Sequence, residues 1–132
     1  MSLHVDTASR LPIYQQLVQQ IREAIARGEL RPEAALPSVR QLSRDLVVNP
    51  NTVARAYTEL VREGLLVSRP GRGIYVAQPR NDLTRSARDR RLTEQLDRWL
   101  TEAVHLGYAA DEVLRLVSKR VRAFRWNADG AA

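Results

Sequence analysis

The chain of 132 residues contains no cysteine, which excludes disulfides and thiolate metal sites. Histidine is almost as scarce. His4 and His105 stand most of the chain apart with no partners at ligand spacing, so no metal site is expected. Lysine occurs once, at Lys119, in a basic run with Arg120 and Arg122 that reads as a solvated helix face. Aromatics make up only 5% of the residues, and no neighbouring rings offer a stacking platform for single-stranded nucleic acid. No apolar run approaches the roughly 20 residues that span a bilayer. The N-terminus lacks the apolar core of a secretory signal, so a cytoplasmic location is expected. Phosphate-binding glycine loops, nucleophile elbows and zinc motifs are missing, and Asp111-Glu112 reads as the start of a helix. No catalytic residue and no cofactor is expected; the chain does not read as an enzyme.

What abounds is arginine. Twenty Arg against one Lys leave a formal net charge of +6 and a pI near 10.7. Residues 1–79 hold ten Arg against seven acids, so the excess is shared by both halves. Such a balance suits a polyanion. Anionic membranes would also attract it, but the region that carries the motifs has no apolar, basic amphipathic segment, and no membrane partner is expected. Duplex DNA is favoured. At 44% hydrophobic and 27% charged, the composition is that of a globular protein. The length accommodates one compact domain and an appendage, without a second enzyme-sized core.

The informative stretch runs from Leu36 to Val76. Ser38 and Gln41 form an S-x-x-Q capping box for a helix that carries Val39, Leu42 and Leu46 inward. Asn49 and Pro50 open a second helix, Asn as N-cap and Pro at the first position, where its missing N–H costs nothing. Only the short connection around Val47 and Val48 separates them, as a helix-turn-helix requires. In the second helix Val53, Ala56, Tyr57 and Leu60 recur at i, i+3, i+4 and i+7 and should pack inward. Asn51, Thr52, Arg55, Thr58, Glu59 and Arg62 remain outside. Short polar groups and an Arg near a helix N-terminus suit base edges and phosphate in a major groove. Alone, the same face reads more readily as an ordinary solvated surface with an Arg55–Glu59 pair. The hairpin that follows changes the balance. Leu65-Leu66-Val67 and Ile74-Tyr75-Val76 read as strands around a turn, Arg69-Pro70-Gly71-Arg72-Gly73. Glycines allow close backbone approach, and arginine favours the negative potential of a narrow groove. Cap, turn, helix and basic tip in this order spell a winged helix-turn-helix.

The phrases PIYQQLVQQIREAIARGEL, LPSVRQLS, NPNTVARAYTELVREGL and RPGRGIYV, spanning about residues 10 to 77, resemble the DNA-binding domain of GntR-family bacterial transcription regulators, in particular the YtrA and MocR branches. The resemblance implies that Arg40 holds a phosphate and that Ser38, Asn49, Asn51, Thr52 and Arg55 lie at or near the operator. It further implies that Gly71, Arg72 and Gly73 form the wing tip. Pro50 and Ala54 depart from it, standing where many relatives carry Arg. Arg55 does not inherit the role of position 54, because one residue turns it by about 100° around the helix.

Flanking segments complete the plan. Tyr14, Leu17, Val18, Ile21, Ala24 and Ile25 trace one face of a helix from about Leu11 to Arg27, with Pro12 in its first turn and Gly28 past its end. It should pack under the helix-turn-helix. Gln78-Pro79-Arg80-Asn81 reads as a linker. Beyond it, a helix from about Asp82 to Leu106 carries Leu92, Leu96, Trp99, Ala103 and Leu106 and stops at Gly107. A second, from about Ala110 to Arg125, carries Leu114, Val117, Val121 and Phe124. Asn127 to Ala132 should be frayed. Two amphipathic helices of this size bury their stripes poorly alone. They either fold back on the first domain or, the favoured reading, pair with a second copy, since helix-turn-helix proteins generally read two half-sites as symmetric dimers. Resemblance to the YtrA branch implies the same, whereas the aminotransferase-like domain of the MocR branch has no room here.

The expected architecture is therefore mainly α with a small β-hairpin wing: a winged helix-turn-helix over residues 1–78 and a helical dimerisation tail over 79–132. The expected function is a homodimeric, sequence-specific regulator of palindromic operator DNA, acting as a repressor that competes with polymerase. The YtrA resemblance adds a transporter operon as target. An architectural or nucleoid-associated protein without sequence choice is the alternative, and a winged helix used only for protein contacts is a third. No dedicated small-molecule domain is expected, and no effector is identified.

Overall fold

The computed structural model describes residues 1–79 and 85–126. It is mainly helical, with one small antiparallel hairpin. The chain divides into two compact units, Met1–Arg80 and Asn81–Ala132.

In the first unit, α1 (Ile13–Ala26) buries Gln16, Leu17, Val18, Ile21 and Ala24. Pro12 sits at its N-cap with an extended ψ of 146°, outside the first turn where the sequence had placed it. Gly28, at φ 80°, follows the C-terminal end. Helix α2 (Val39–Leu46) and helix α3 (Pro50–Arg62) form the helix-turn-helix. Helix α3 is the centre of the unit: Val53, Ala56 and Leu60 are fully buried and Tyr57 nearly so, packed against α1 on one side and α2 on another. The Tyr57 hydroxyl donates to the Pro37 carbonyl at 2.7 Å, tying α3 to the entry of α2. Arg22 of α1 grips Glu63 beyond the end of α3 through Nε at 3.2 Å and Nη2 at 2.7 Å.

Strands β1 (Leu66–Arg69) and β2 (Gly73–Val76) pair with Leu66 opposite Val76 and Arg69 opposite Gly73. Leu66 and Val76 close the core from below. The connection before α2 supplies a short third edge. Ala35 bridges Tyr75, the Leu36 N–H reaches the Ile74 carbonyl at 2.8 Å, and the Val76 N–H reaches the Ala34 carbonyl at 2.9 Å. The N-terminal residues are held by two glutamines one turn apart on α1. Gln20 exchanges bonds with the His4 backbone at 3.0 and 2.8 Å, and Gln16 does the same with Asp6 at 2.9 and 3.0 Å. Leu3 and Val5 thereby pack against the core.

The second unit holds α4 (Arg85–His105) and α5 (Ala110–Val121), joined through Gly107 at φ 88°. The start expected at Asp82 and the expected frayed end at Asn127–Ala132 lie outside the described residues. Helix α5 ends at Val121, one turn short of the Arg125 expected, and Phe124 sits in the turn beyond it. There the Trp126 indole N–H donates to the Val121 carbonyl at 2.7 Å, closing the helix end. Ala103 and Val113 are the buried apolar residues of this unit among those described. On α5 it is Val113 that faces inward within the unit, while Leu114 remains 67% exposed. Among the described residues, no helix is long and apolar enough to cross a membrane.

Candidate nucleic-acid interface

The helix-turn-helix is shaped by its caps. Ser38 Oγ accepts the Gln41 N–H at 3.0 Å, and Asn49 Oδ1 accepts the Asn51 N–H at 2.8 Å. Only half of the expected capping box forms, because the Gln41 amide turns along α2 to donate to Asp45 at 2.8 Å. Between the helices Val47 adopts φ 55°, ψ 50°, and the Val48 N–H reaches the Ser43 carbonyl at 3.1 Å, a Schellman-type closure. Ser38 and Asn49 are therefore engaged as caps. In α3 no first-turn N–H is left over, since Pro50 has none and the Thr52 N–H reaches the Asn49 carbonyl at 2.9 Å; both cap residues are exposed.

Arg40, Asn51 and Arg55 are exposed and Thr52 is half-buried. Neither Arg40 nor Arg55 meets a carboxylate at ion-pair distance among the described residues. Glu59 pairs with Arg62 and not with Arg55; the guanidinium beside it holds the Glu59 carboxyl below its ordinary value. The Arg55 guanidinium lies instead over the ring of Tyr14 on α1, its carbon 3.8 Å from the centroid. Nothing in the α1 pattern distinguished Tyr14 from the apolar residues of its face.

At the wing, Pro70-Gly71 carries the type II signature. Gly71 stands at φ 73°, and the Arg72 N–H closes on the Arg69 carbonyl at 2.9 Å. Gly73 stands at φ 113°. A Cβ at either glycine would meet nothing within 4 Å, so backbone conformation, not crowding, requires glycine here. The two wing arginines have separate fates. Arg69 reaches Glu33 at 2.7 Å and lies 4.8 Å over the Tyr75 ring. Its hydrogen bond, followed by that of Gln78, holds the Glu33 carboxyl below its ordinary value. Arg72 is exposed at the tip with no carboxylate partner among the described residues. Its carbonyl accepts the Tyr75 hydroxyl at 2.8 Å, which steadies the tip.

The unit thus presents a polar, cation-bearing helix face and a braced basic tip. A profile of the "Bacterial regulatory proteins, gntR family" matches residues 13–76, from the start of α1 to the end of β2. The HTH-type transcriptional repressor YtrA of Bacillus subtilis (strain 168) is 34% identical over 111 residues, covering 84% of this chain and 85% of the relative. The chain belongs to the GntR family. Among GntR proteins it is YtrA-like, a transcription regulator with a sequence-specific DNA-binding domain. A transcriptional antiterminator from Listeria monocytogenes EGD-e superimposes with a TM-score of 0.75 at 30% identity, over 92% of this chain and 90% of that one. The DNA-binding domain of AraR, solved in complex with operator ORX1, superimposes with a TM-score of 0.53 at 30% identity, over 58% of this chain and 99% of that one. That alignment covers little more than half of this GntR chain.

Proposed function

We propose that this GntR regulator is a homodimeric repressor that binds a palindromic operator through α3 and the wing. The observation that carries the reading is the exposed face of α3, where Asn51 and Arg55 stand beside Thr52 with no ion pair to Arg55 among the described residues, on the same unit as the exposed Arg72 tip. Asn51, Thr52 and Arg55 are assigned to base edges, Arg40 to a phosphate, and Gly71-Arg72-Gly73 to the adjacent groove. Ser38 and Asn49 cap their helices and offer donors to the backbone. Residues 1–78 form the DNA-binding domain in this reading, and residues 79–132 form the dimerisation tail.

The tail supports the dimer by what it leaves uncovered. Leu92, Leu96, Trp99, Leu114, Val117 and Val121 remain exposed, around the buried Ala103, and Phe124 is half-buried. An apolar groove of about 460 Å³ runs between Trp99, Leu116, Val117, Val121, Phe124 and Trp126, with Arg120 its charged lining residue. It lacks the convergent polar groups of a ligand site, and the same face of a second copy suits it. Repression agrees with the repressor YtrA as relative, and the YtrA resemblance extends the proposal to a transporter operon in the cytoplasm.

Selection of bound fragments from the source genome tests all of this together. The expected result is a palindrome with fixed half-site spacing upstream of transporter genes, bound without any added small molecule. Equal recovery of unrelated fragments would replace the reading with that of an architectural DNA-binding protein, for which no sequence has a large advantage.

A further inference from the structure

We propose that Tyr14 of α1, which lies outside the helix-turn-helix, is a positioning residue for Arg55, and that the two engage duplex DNA as one unit. The inference rests on the DNA-reading role proposed for α3. Its starting point is the 3.8 Å approach of the Arg55 guanidinium carbon to the Tyr14 ring centroid. The ring is half-buried against the core, and the Gln15 amide donates to its hydroxyl at 3.0 Å, so the platform itself is held in place. Arg55 springs from the middle of the outward face of α3 and is exposed. The carboxylate one turn away, Glu59, is bound by Arg62 through both Nε and Nη2; Arg55 acts on it as a more distant charge and forms no ion pair with it.

A guanidinium has a flat, weakly hydrated face and five N–H groups around its edge. Contact through the face consumes none of those donors, so the Tyr14 stack orients Arg55 while leaving its edge for a pair of acceptors. Duplex DNA offers such pairs in two places, the oxygens of a phosphate and O6 with N7 of guanine. A free arginine loses much of its rotamer freedom when it binds. One already resting on a ring has less to lose, so binding is strengthened without any contact between Tyr14 and DNA. Tyr14 lies 41 residues before Arg55 in the chain, so the coupling exists only because α1 packs on α3.

The test is a double-mutant cycle on the full chain, using the best fragment recovered by genomic selection and competition binding as readout. Thermal unfolding confirms that each variant is folded. Tyr14→Phe keeps the ring and should bind within twofold of the parent. Tyr14→Leu keeps an apolar side chain against the core but removes the aromatic face. It should weaken binding roughly two- to fivefold, the affinity equivalent of an exposed cation–π contact. In an Arg55→Ala background the same change should have no further effect. Should Tyr14→Leu fail to fold, Arg55→Lys keeps the charge without the planar face and should show a comparable loss. Repeated selection separates the acceptors. A guanine contact makes Tyr14→Leu and Arg55→Ala relax preference at the same base position. A phosphate contact preserves the motif in both and flattens the salt dependence in Arg55→Ala alone. Either supports the unit. Equal losses from Tyr14→Leu with and without Arg55, or parent-like binding by Tyr14→Leu or Arg55→Lys, overturn it. Parent-like binding by Arg55→Ala overturns it while leaving the wider DNA-binding reading intact, whereas failure of the parent to prefer any fragment overturns both.

Discussion

Val47 stands in the left-handed region at φ 55° with 89% of its surface exposed. For an L-residue that region costs roughly 1–2 kcal/mol, and a β-branched side chain is poorly suited to it. Exposure means that little burial is lost on replacement. Val47→Asn should therefore raise the unfolding free energy by about 1 kcal/mol in urea titration. Val47→Gly should gain less, because glycine adds freedom to the unfolded chain. A loss of stability in both would show that the valine methyls contribute contacts that outweigh the strain. Tyr57 supports a second prediction at this scale. Burial raises its phenol above the ordinary value of 10.0, so above about pH 10 the unfolded chain releases a proton that the folded chain keeps. The stabilisation is fully present below pH 10 and is lost as pH rises beyond it. Tyr57→Phe should cost about 1 kcal/mol at neutral pH through the lost bond to Pro37. Its stability should also fall less steeply between pH 10 and 11. Equal slopes for parent and variant would assign the alkaline loss to another group.

The wing works as an element because both sides of its turn are braced. Arg69, at the end of β1, is engaged by Glu33 and Tyr75, and the Tyr75 hydroxyl donates to the Arg72 carbonyl at the tip. Of the two wing arginines, Arg72 is the one proposed to meet DNA. Arg72→Ala should weaken operator binding and, if one phosphate contact is lost, flatten the slope of log K against log salt by about 0.9. Arg40→Ala on α2 should behave likewise across all sequences, whereas Tyr75→Phe should weaken binding more mildly by loosening the tip. Unchanged affinity and slope for Arg72→Ala and Arg40→Ala would remove both from the interface. Helix α3, its Asn49 cap and the hairpin are legible in the sequence because each rests on neighbours within a few positions. The wing brace is not, since Glu33 and Ala35 lie some 40 residues upstream of Tyr75 and Gln78 in an irregular stretch without strand alternation. Arg69 and Arg72 look equivalent in the chain, and only the folded hairpin separates the paired from the free. On α5, Val113, Leu114, Leu116 and Val117 offer two overlapping apolar stripes, and periodicity cannot choose between them. The turn through Gly107 decides, bringing Val113 inward as Ala103 is buried on α4.

At the scale of the whole molecule, the two units differ in how completely they satisfy themselves. The first encloses thirteen buried hydrophobic residues in one cluster, from Leu17 to Val76. The second buries Ala103 and Val113 among its described residues and leaves Leu92 at 68%, Leu96 at 48% and Trp99 at 40% exposure. Exposed apolar side chains of this kind support the proposed association site. A symmetric partner, which presents the same groove and the same side chains, can cover it with a closed two-fold interface. Trp99 lines two apolar cavities of the tail and is the residue whose loss should be felt most. Truncating a tryptophan that pairing buries typically costs ~3–5 kcal/mol, equivalent to roughly two to three and a half decades of dissociation constant. Trp99→Ala, or a cut after Gln78, should yield a monomer whose first unit keeps its unfolding transition, because its buried cluster is built from Leu17 to Val76. Its affinity for a single half-site should survive, while binding to the full palindrome falls to the level expected of two independent half-sites. Sedimentation and operator titration at matched concentrations measure both quantities. An intact protein that sediments as a monomer while saturating the palindrome would remove the tail from dimerisation. It would also mean that the exposed faces of α4 and α5 are covered by something other than a second copy.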